Sequence, residues 1–279
     1  FELKDIRKIA EICRRMKVKS YLALNTIIYD EELPELRSIV KEAAERTWLS
    51  RAPQALTKRI DRVRLYAPNL RDLDLRVPDY YFLTTDTPNL MRWLADEMVA
   101  QGVDLRLMQP FTDAEYEHGR WRLPGIGRTP WLVGADGAKS RVAQRVGLGR
   151  VGDFLYGVEH EFEGLQLSEP DALHCFVSRE LAPGYIGWAT QNPTGVQFGL
   201  AFRHRDSRKG APDIEALRAK VGRRIGIPAN LAPSAVRAGL IPCGGPVQRL
   251  SAPGVILTGD ADSRCTGPPQ GIKPRSEEH

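Results

Sequence analysis

The chain is expected to fold as a mixed protein, α+β and α/β together: an incomplete parallel layer, an antiparallel sheet, and a leading α-β-α segment. Three observations predict this. Apolar runs lead directly into glycine-acid turns at residues 131–137 and 254–261, as strands of a parallel layer do. Between them, Val196, Phe198, Leu200 and Phe202 alternate with Gln197, Gly199, Ala201 and Arg203, the period of a strand on a sheet with one covered face. At the front, Leu3, Ile6, Ile9, Ala10 and Cys13 recur at helical spacing, β-formers fill residues 18–28, and Leu33, Leu36, Ile39, Val40 and Ala43 resume a helical stripe.

The 279 residues, 42% of them hydrophobic, suffice for one large or two ordinary domains. No run of eighteen apolar residues occurs, and the first thirty positions lack the order of a secretory signal, so a cytoplasmic protein is expected. Cys13, Cys175, Cys243 and Cys265 never form a C-x-x-C pair, which points to reduced thiols without a zinc site or disulfide scaffold. The net charge of +5 is small beside 40 basic and 35 acidic side chains. With no aromatic-basic platform, a solvated surface is expected and no nucleic-acid partner.

Past residue 47 the elements shorten. Val63, Leu65 and Tyr66, a turn at Ala67-Pro68-Asn69, then Leu73, Leu75 and Val77 predict a hairpin with one wet face. Asp86-Thr87-Pro88 opens a helix with an N-cap and a first-turn proline; Leu90, Met91, Leu94, Met98 and Val99 share its apolar face, and Gly102 closes it. Residues 103–107 alternate as a returning strand. Residues 140–146 and 214–225 are the remaining helices.

Chemistry concentrates in the two turns. In Gly134-Ala135-Asp136-Gly137 and Gly259-Asp260-Ala261, glycine permits close backbone approach while a carboxylate is presented at a strand's carboxyl end, where open α/β sheets bind nucleotide-like ligands. An ionised carboxylate there accepts hydrogen bonds from sugar hydroxyls; it also serves as an ordinary turn cap. One G-x-G-x-x-G string exists, Gly147 to Gly152, but it follows a helix and opens none, so Gly147 is read as a helix-closing residue. His118, His160, His174 and His204 have no nucleophile or metal-ligand partner at a useful spacing, and no metal site is expected.

Two resemblances follow from these strings. FELKDIRKIAEICRRMKVKSYLALNTIIYDEELPEL resembles one repeat of the collagenase-like bacterial peptidase family, a β/α barrel whose catalytic region has no match here. LVGADGAKSRVAQRVGL and GLIPCGGPVQRLSAPGVILTGDA resemble the paired FAD fingerprints of flavin-dependent reductases and hydroxylases. YYFLTTDTPNLMRWLADEMVAQGVDLR before them and LHCFVSRELAPGYIGWATQNPTGVQFGLAFR between them fit in order, and the detail is similar to geranylgeranyl reductases.

That resemblance implies a Rossmann-like FAD-binding layer and an antiparallel substrate domain. It places Asp136 and Gly137 near the FAD pyrophosphate and ribityl region, Gly259 and Asp260 on the ribityl chain, and Tyr185 and Trp188 against the lipid cavity, here spaced Y-x-x-W where the reductase pattern has Y-x-W. It implies hydride transfer from flavin reduced by NAD(P)H or ferredoxin to double bonds of an isoprenoid lipid, with peripheral membrane contact. The expected organisation is a barrel-like fragment at 1–47, a substrate-sheet hairpin at 48–82, a partial FAD domain at 83–150, an antiparallel domain at 151–250 and a final FAD-domain strand at 251–279. The missing first β-α-β unit and the irregular end predict a truncated, chimeric chain that grips FAD poorly. The alternatives are a flavin monooxygenase, a peptidase-related barrel protein and an inactive remnant.

Overall fold

A computed structural model describes residues 51–76, 81–203 and 213–262. The expected barrel-like fragment, Cys13, Cys265, His204 and the irregular end lie outside the described residues.

The described elements are β1 (Thr57–Ile60), β2 (Arg62–Tyr66), β3 (Asp72–Leu75), β4 (Phe82–Thr85), α1 (Thr87–Ala100), β5 (Glu115–Glu117), β6 (Arg120–Leu123), β7 (Gly127–Thr129) and β8 (Leu132–Gly134). They continue with α2 (Arg141–Arg145), β9 (Phe154–Glu163), β10 (Ala172–Phe176), β11 (Gly187–Gln191), β12 (Gly195–Arg203), α3 (Ile214–Ile225), β13 (Ala235–Pro242), β14 (Ser251–Ala252) and β15 (Val255–Leu257). They form two compact units, one from residues 51–56 and 87–108, the other from 57–86 and 109–262.

The smaller unit is helix α1 with the short turn Gln54–Leu56, tied by Arg51 to Glu97 at 3.1 Å. Gly102, at φ +84°, closes the helix: its N–H donates to Val99 and that of Val103 to Met98, the paired bonds of a left-handed helix end. The strand expected at 103–107 is not formed. No described strand pairs with these residues, and the chain instead turns at Met108, with φ +58° and Leu107 and Met108 exposed. Apolar alternation without a hydrogen-bonding neighbour does not make a strand.

The larger unit is built on a seven-stranded sheet in the order β13-β9-β12-β11-β10-β2-β3. Neighbours are antiparallel except β10 and β2, which run parallel. The hairpin read from residues 63–75 is β2-β3, pairing Val63 with Leu75 and Leu65 with Leu73. Strand β12 carries the predicted alternation: Val196, Phe198, Leu200 and Phe202 point to a core completed by Leu217, Val221 and Ile225 of α3. Helix α3 starts where Asp213 accepts hydrogen bonds from the N–H groups of Glu215 and Ala216, and stops at Gly226 with φ +90°.

A three-stranded sheet, β14-β15-β8, forms the second layer. Leu132, Val255 and Leu257 pack with Val142 and Ala143 of α2, with Trp121 of the meander β5-β6-β7 in the same core. Among the described residues no helix is long and apolar enough to cross a membrane.

Removing the cap of α3 tests the packing of its apolar stripe against the sheet. Asp213→Ala is expected to lower unfolding stability by about 1 kcal/mol in urea titrations, with Asp213→Ser recovering most of it.

Candidate functional site

Strands β8 and β15 are adjacent and parallel, with Val255 beside Leu132 and Leu257 beside Gly134. The Thr258 N–H donates to the Gly134 carbonyl at 2.9 Å and extends the ladder to the last residue before the second turn. Both glycine-acid turns therefore leave the same edge of one layer, at the carboxyl ends of neighbouring strands. About 120 residues separate them along the chain.

The first turn is held by Asp136. Its Oδ1 accepts from Ser140 Oγ at 2.6 Å, and its Oδ2 accepts from the N–H groups of Arg141 at 2.7 Å and Val142 at 3.1 Å. Ser140 Oγ in turn accepts from the Ala143 N–H at 2.9 Å, so aspartate and serine together satisfy the start of α2. Asp136 thus has the turn-capping role, and Gly137 is the element of the pair left facing open space. Its φ is +81°, and a Cβ built there meets no atom within 4 Å.

The second turn is a short 3-10 segment, Gly259–Ala261. Gly259 has φ +64° and the same open space where a Cβ would project. Asp260 is half-buried, and its pKa is raised above the ordinary carboxylate value, first by burial and second by Asp262. No described residue donates a hydrogen bond to its carboxylate. One turn therefore has a satisfied aspartate, the other a carboxylate still available to a ligand.

A cavity of about 180 Å³ lies between α2, the start of β9 and Ala261. Lys139, Ser140, Gln144 and Arg150 are its polar lining, and Ala143, Val151 and Phe154 are among its apolar lining. Among the described residues neither cation makes an ion pair. Their pairing is not visible in the sequence because the two are eleven residues apart and only the fold of α2 and the following turn brings them to one cavity.

The glycine string at 147–152 does close a helix. Gly147, at φ +70°, donates to Gln144 and Leu148 donates to Ala143, and no helix opens before β9.

Trp188 lies on β11, beside Cys175 of β10 and Gly199 of β12. Tyr185 precedes the strand in a turn, its N–H donating to the Ala182 carbonyl at 3.2 Å. Burial raises the Tyr185 hydroxyl pKa, with a further upward push from the Cys175 thiol. Cys175 is itself pushed up to about 11 by burial and is inert as a nucleophile. Tyr185, Cys175 and Trp188 are thus close together, on the sheet face opposite α3. His174 and His160 lie on the α3 side; burial lowers both pKa values, and Tyr66 Oη and the Glu169 carbonyl lie within hydrogen-bond distance of the His174 ring nitrogens.

Set against known proteins, the chain matches no family model. It is 28% identical over 226 residues to the digeranylgeranylglycerophospholipid reductase 2 of Methanopyrus kandleri, covering 72% of this chain and 54% of that protein. The chain thus spans about half the length of that relative. A separate stretch of 50 residues is 50% identical to a collagenase of Porphyromonas gingivalis, covering 18% of this chain and 12% of the collagenase. Among solved structures, a geranylgeranyl bacteriochlorophyll reductase-like protein from Thermoplasma acidophilum superposes with a TM-score of 0.65 at 17% identity, over 81% of this chain and 59% of that one.

The raised pKa of Asp260 gives a signed prediction. Ionising this carboxyl costs the folded state stability at neutral pH, and the cost vanishes as pH falls to the ordinary carboxylate range, about 4. Asp260→Asn is expected to raise the thermal midpoint at pH 7, with the gain shrinking toward pH 4; an equal gain at both would assign it to packing. The chain is thus similar to a digeranylgeranylglycerophospholipid reductase over 72% of its length, shares its mixed α/β fold with the geranylgeranyl bacteriochlorophyll reductase-like protein, and has a stretch of 50 residues similar to a collagenase.

Proposed function

We propose that the chain works in an FAD-dependent oxidoreductase of geranylgeranyl-reductase type, which saturates carbon–carbon double bonds of an isoprenoid lipid. The single observation that carries this reading is the parallel neighbourhood of β8 and β15, which sets the two glycine turns side by side at one sheet edge.

The residues present fit the sugar-alcohol part of a flavin. Gly137 and Gly259 leave open space where side chains would stand, and the half-buried Asp260 carboxylate is free to accept from hydroxyl groups. Asp136 keeps Gly137 in position through its bonds to the start of α2. Lys139 and Arg150, on the rim of the adjoining cavity, suit an anionic group such as a pyrophosphate. What FAD supplies when bound, after reduction by NAD(P)H or ferredoxin, is hydride for the double bond. The protein's part is to hold the lipid and exclude water, and the sheet face bearing Tyr185 and Trp188 is the surface assigned to that task. A lipid substrate also fits peripheral contact with a membrane.

The ribityl contacts are common to riboflavin, FMN and FAD, and Lys139 and Arg150 add only for the phosphate-bearing two, so all three are expected to bind with modest affinity, riboflavin the weakest, without a stoichiometric yellow flavin in the purified protein. The check is saturable quenching of flavin fluorescence on titration with the protein. Asp260→Ala should weaken it about tenfold, the worth of one charge-assisted hydrogen bond. Silence toward all three flavins would falsify the flavin reading.

A further inference from the structure

Trp188, Gly199 and Glu159 stand in one row across β11, β12 and β9, since Trp188 pairs with Gly199 and Gly199 with Glu159. The indole lies over the glycine: a Cβ on Gly199 would fall 2.4 Å from Trp188 Cζ2. At its far end the indole Nε1 donates to Glu159 Oε2 at 3.1 Å. The ring thus spans a whole strand, flat against backbone that only glycine leaves bare, and is pinned at its polar corner. An indole N–H has a single donor to place, and beside an apolar ligand it has no other acceptor.

We propose that Glu159 is a positioning residue of the substrate sheet, which holds the Trp188 ring flat over Gly199 as a fixed wall for an isoprenoid chain. This rests on the assignment of that face to the lipid. Nearby charge supports the geometry. Arg237 pairs in register with Glu159 yet donates to Glu161 Oε2 at 2.8 Å, which leaves Glu159 to Trp188. Burial pushes the Glu159 carboxyl upward, so it sits in surroundings already sheltered from water. A wall residue on a central strand, fixed by a neighbouring strand, presents the same surface to each lipid that enters. The sequence hid this partnership because Glu159 falls 29 residues before Trp188, inside a strand that otherwise reads as ordinary alternation.

The test uses the full 279-residue chain and geranylgeraniol as the probe. The Trp188 emission is isolated as the difference between the wild type and Trp188→Phe, and lipid affinity is measured by equilibrium partition of radiolabelled probe. In Glu159→Leu, the Trp188 emission is expected to shift red and become open to acrylamide quenching, and affinity to fall about tenfold for the one donor left unpaired. Glu159→Gln keeps an acceptor and should restore both. In the Trp188→Phe background, where no indole needs holding, Glu159→Leu should cost far less than its tenfold loss in the wild type; an equal loss in both backgrounds overturns the positioning role. Unaltered affinity in Glu159→Leu, with the wild type binding normally, overturns the positioning role alone. Failure of the wild type to bind the probe overturns the lipid assignment and the positioning role with it.

Discussion

The constraint on which the rest of the site depends is the contact between two three-residue strands, β8 and β15. Their separation along the chain means that five of the seven strands of the large sheet, β9 to β13, must fold as an excursion between them, at a loop-closure cost that grows only slowly with length. Gly134 makes the contact close: a Cβ there would fall 2.6 Å from Leu257 Cδ2 and 3.0 Å from Val142 Cγ1. Strand, partner strand and helix α2 thus converge on the one residue without a side chain. Because the turns begin at the next few residues, their spacing is set by this packing. One face of the pair is dry, whereas Val133 on the other is 57% exposed among the described residues.

Much of this was legible because local pattern and tertiary environment agree. The helix over residues 214–225 is signalled by the helical spacing of Leu217, Val221 and Ile225, and all three are buried against the sheet, with Asp213 and Gly226 capping the ends. The same agreement explains the closure at Gly147 and the β2-β3 hairpin. The strand at 103–107 was misread because alternation says nothing about whether a neighbour exists to pair with. The parallel pairing of β10 with β2 was not legible at all, since it joins residues 110 apart, such as Tyr66 and Phe176, without a crossover motif. At the site, the positions of the turns were readable, but the division of labour between the two aspartates was not. It depends on whether Ser140 and the α2 backbone reach the carboxylate, which is a matter of coordinates.

The two faces of the large sheet follow different physical rules. The face under α3 is an aromatic core in which Tyr66 stacks on Phe176 with centroids 4.8 Å apart and also reaches His174. At its margin Arg62 and Arg64 engage Asp72, Asp74, Glu169 and Asp171, and Arg224 of α3 bonds to Asp72 at 2.6 Å. Exposed pairs of this kind add little stability individually, but a shared lattice fixes the register of β2, β3 and the loop before β10. The opposite face is where glycine and indole lie flat.

Among the described residues strand β3 ends the sheet, and its outer backbone groups are a template for a further strand. It is only four residues long, and both of its aspartates are committed to arginines within the same molecule. A second chain approaching this border would meet Arg76 just beyond the strand and two aspartates already neutralised within the molecule. A border this short, with an arginine at its end, is a poor place for copies of the chain to stack edge to edge, even though Leu73 and Leu75 leave it greasy.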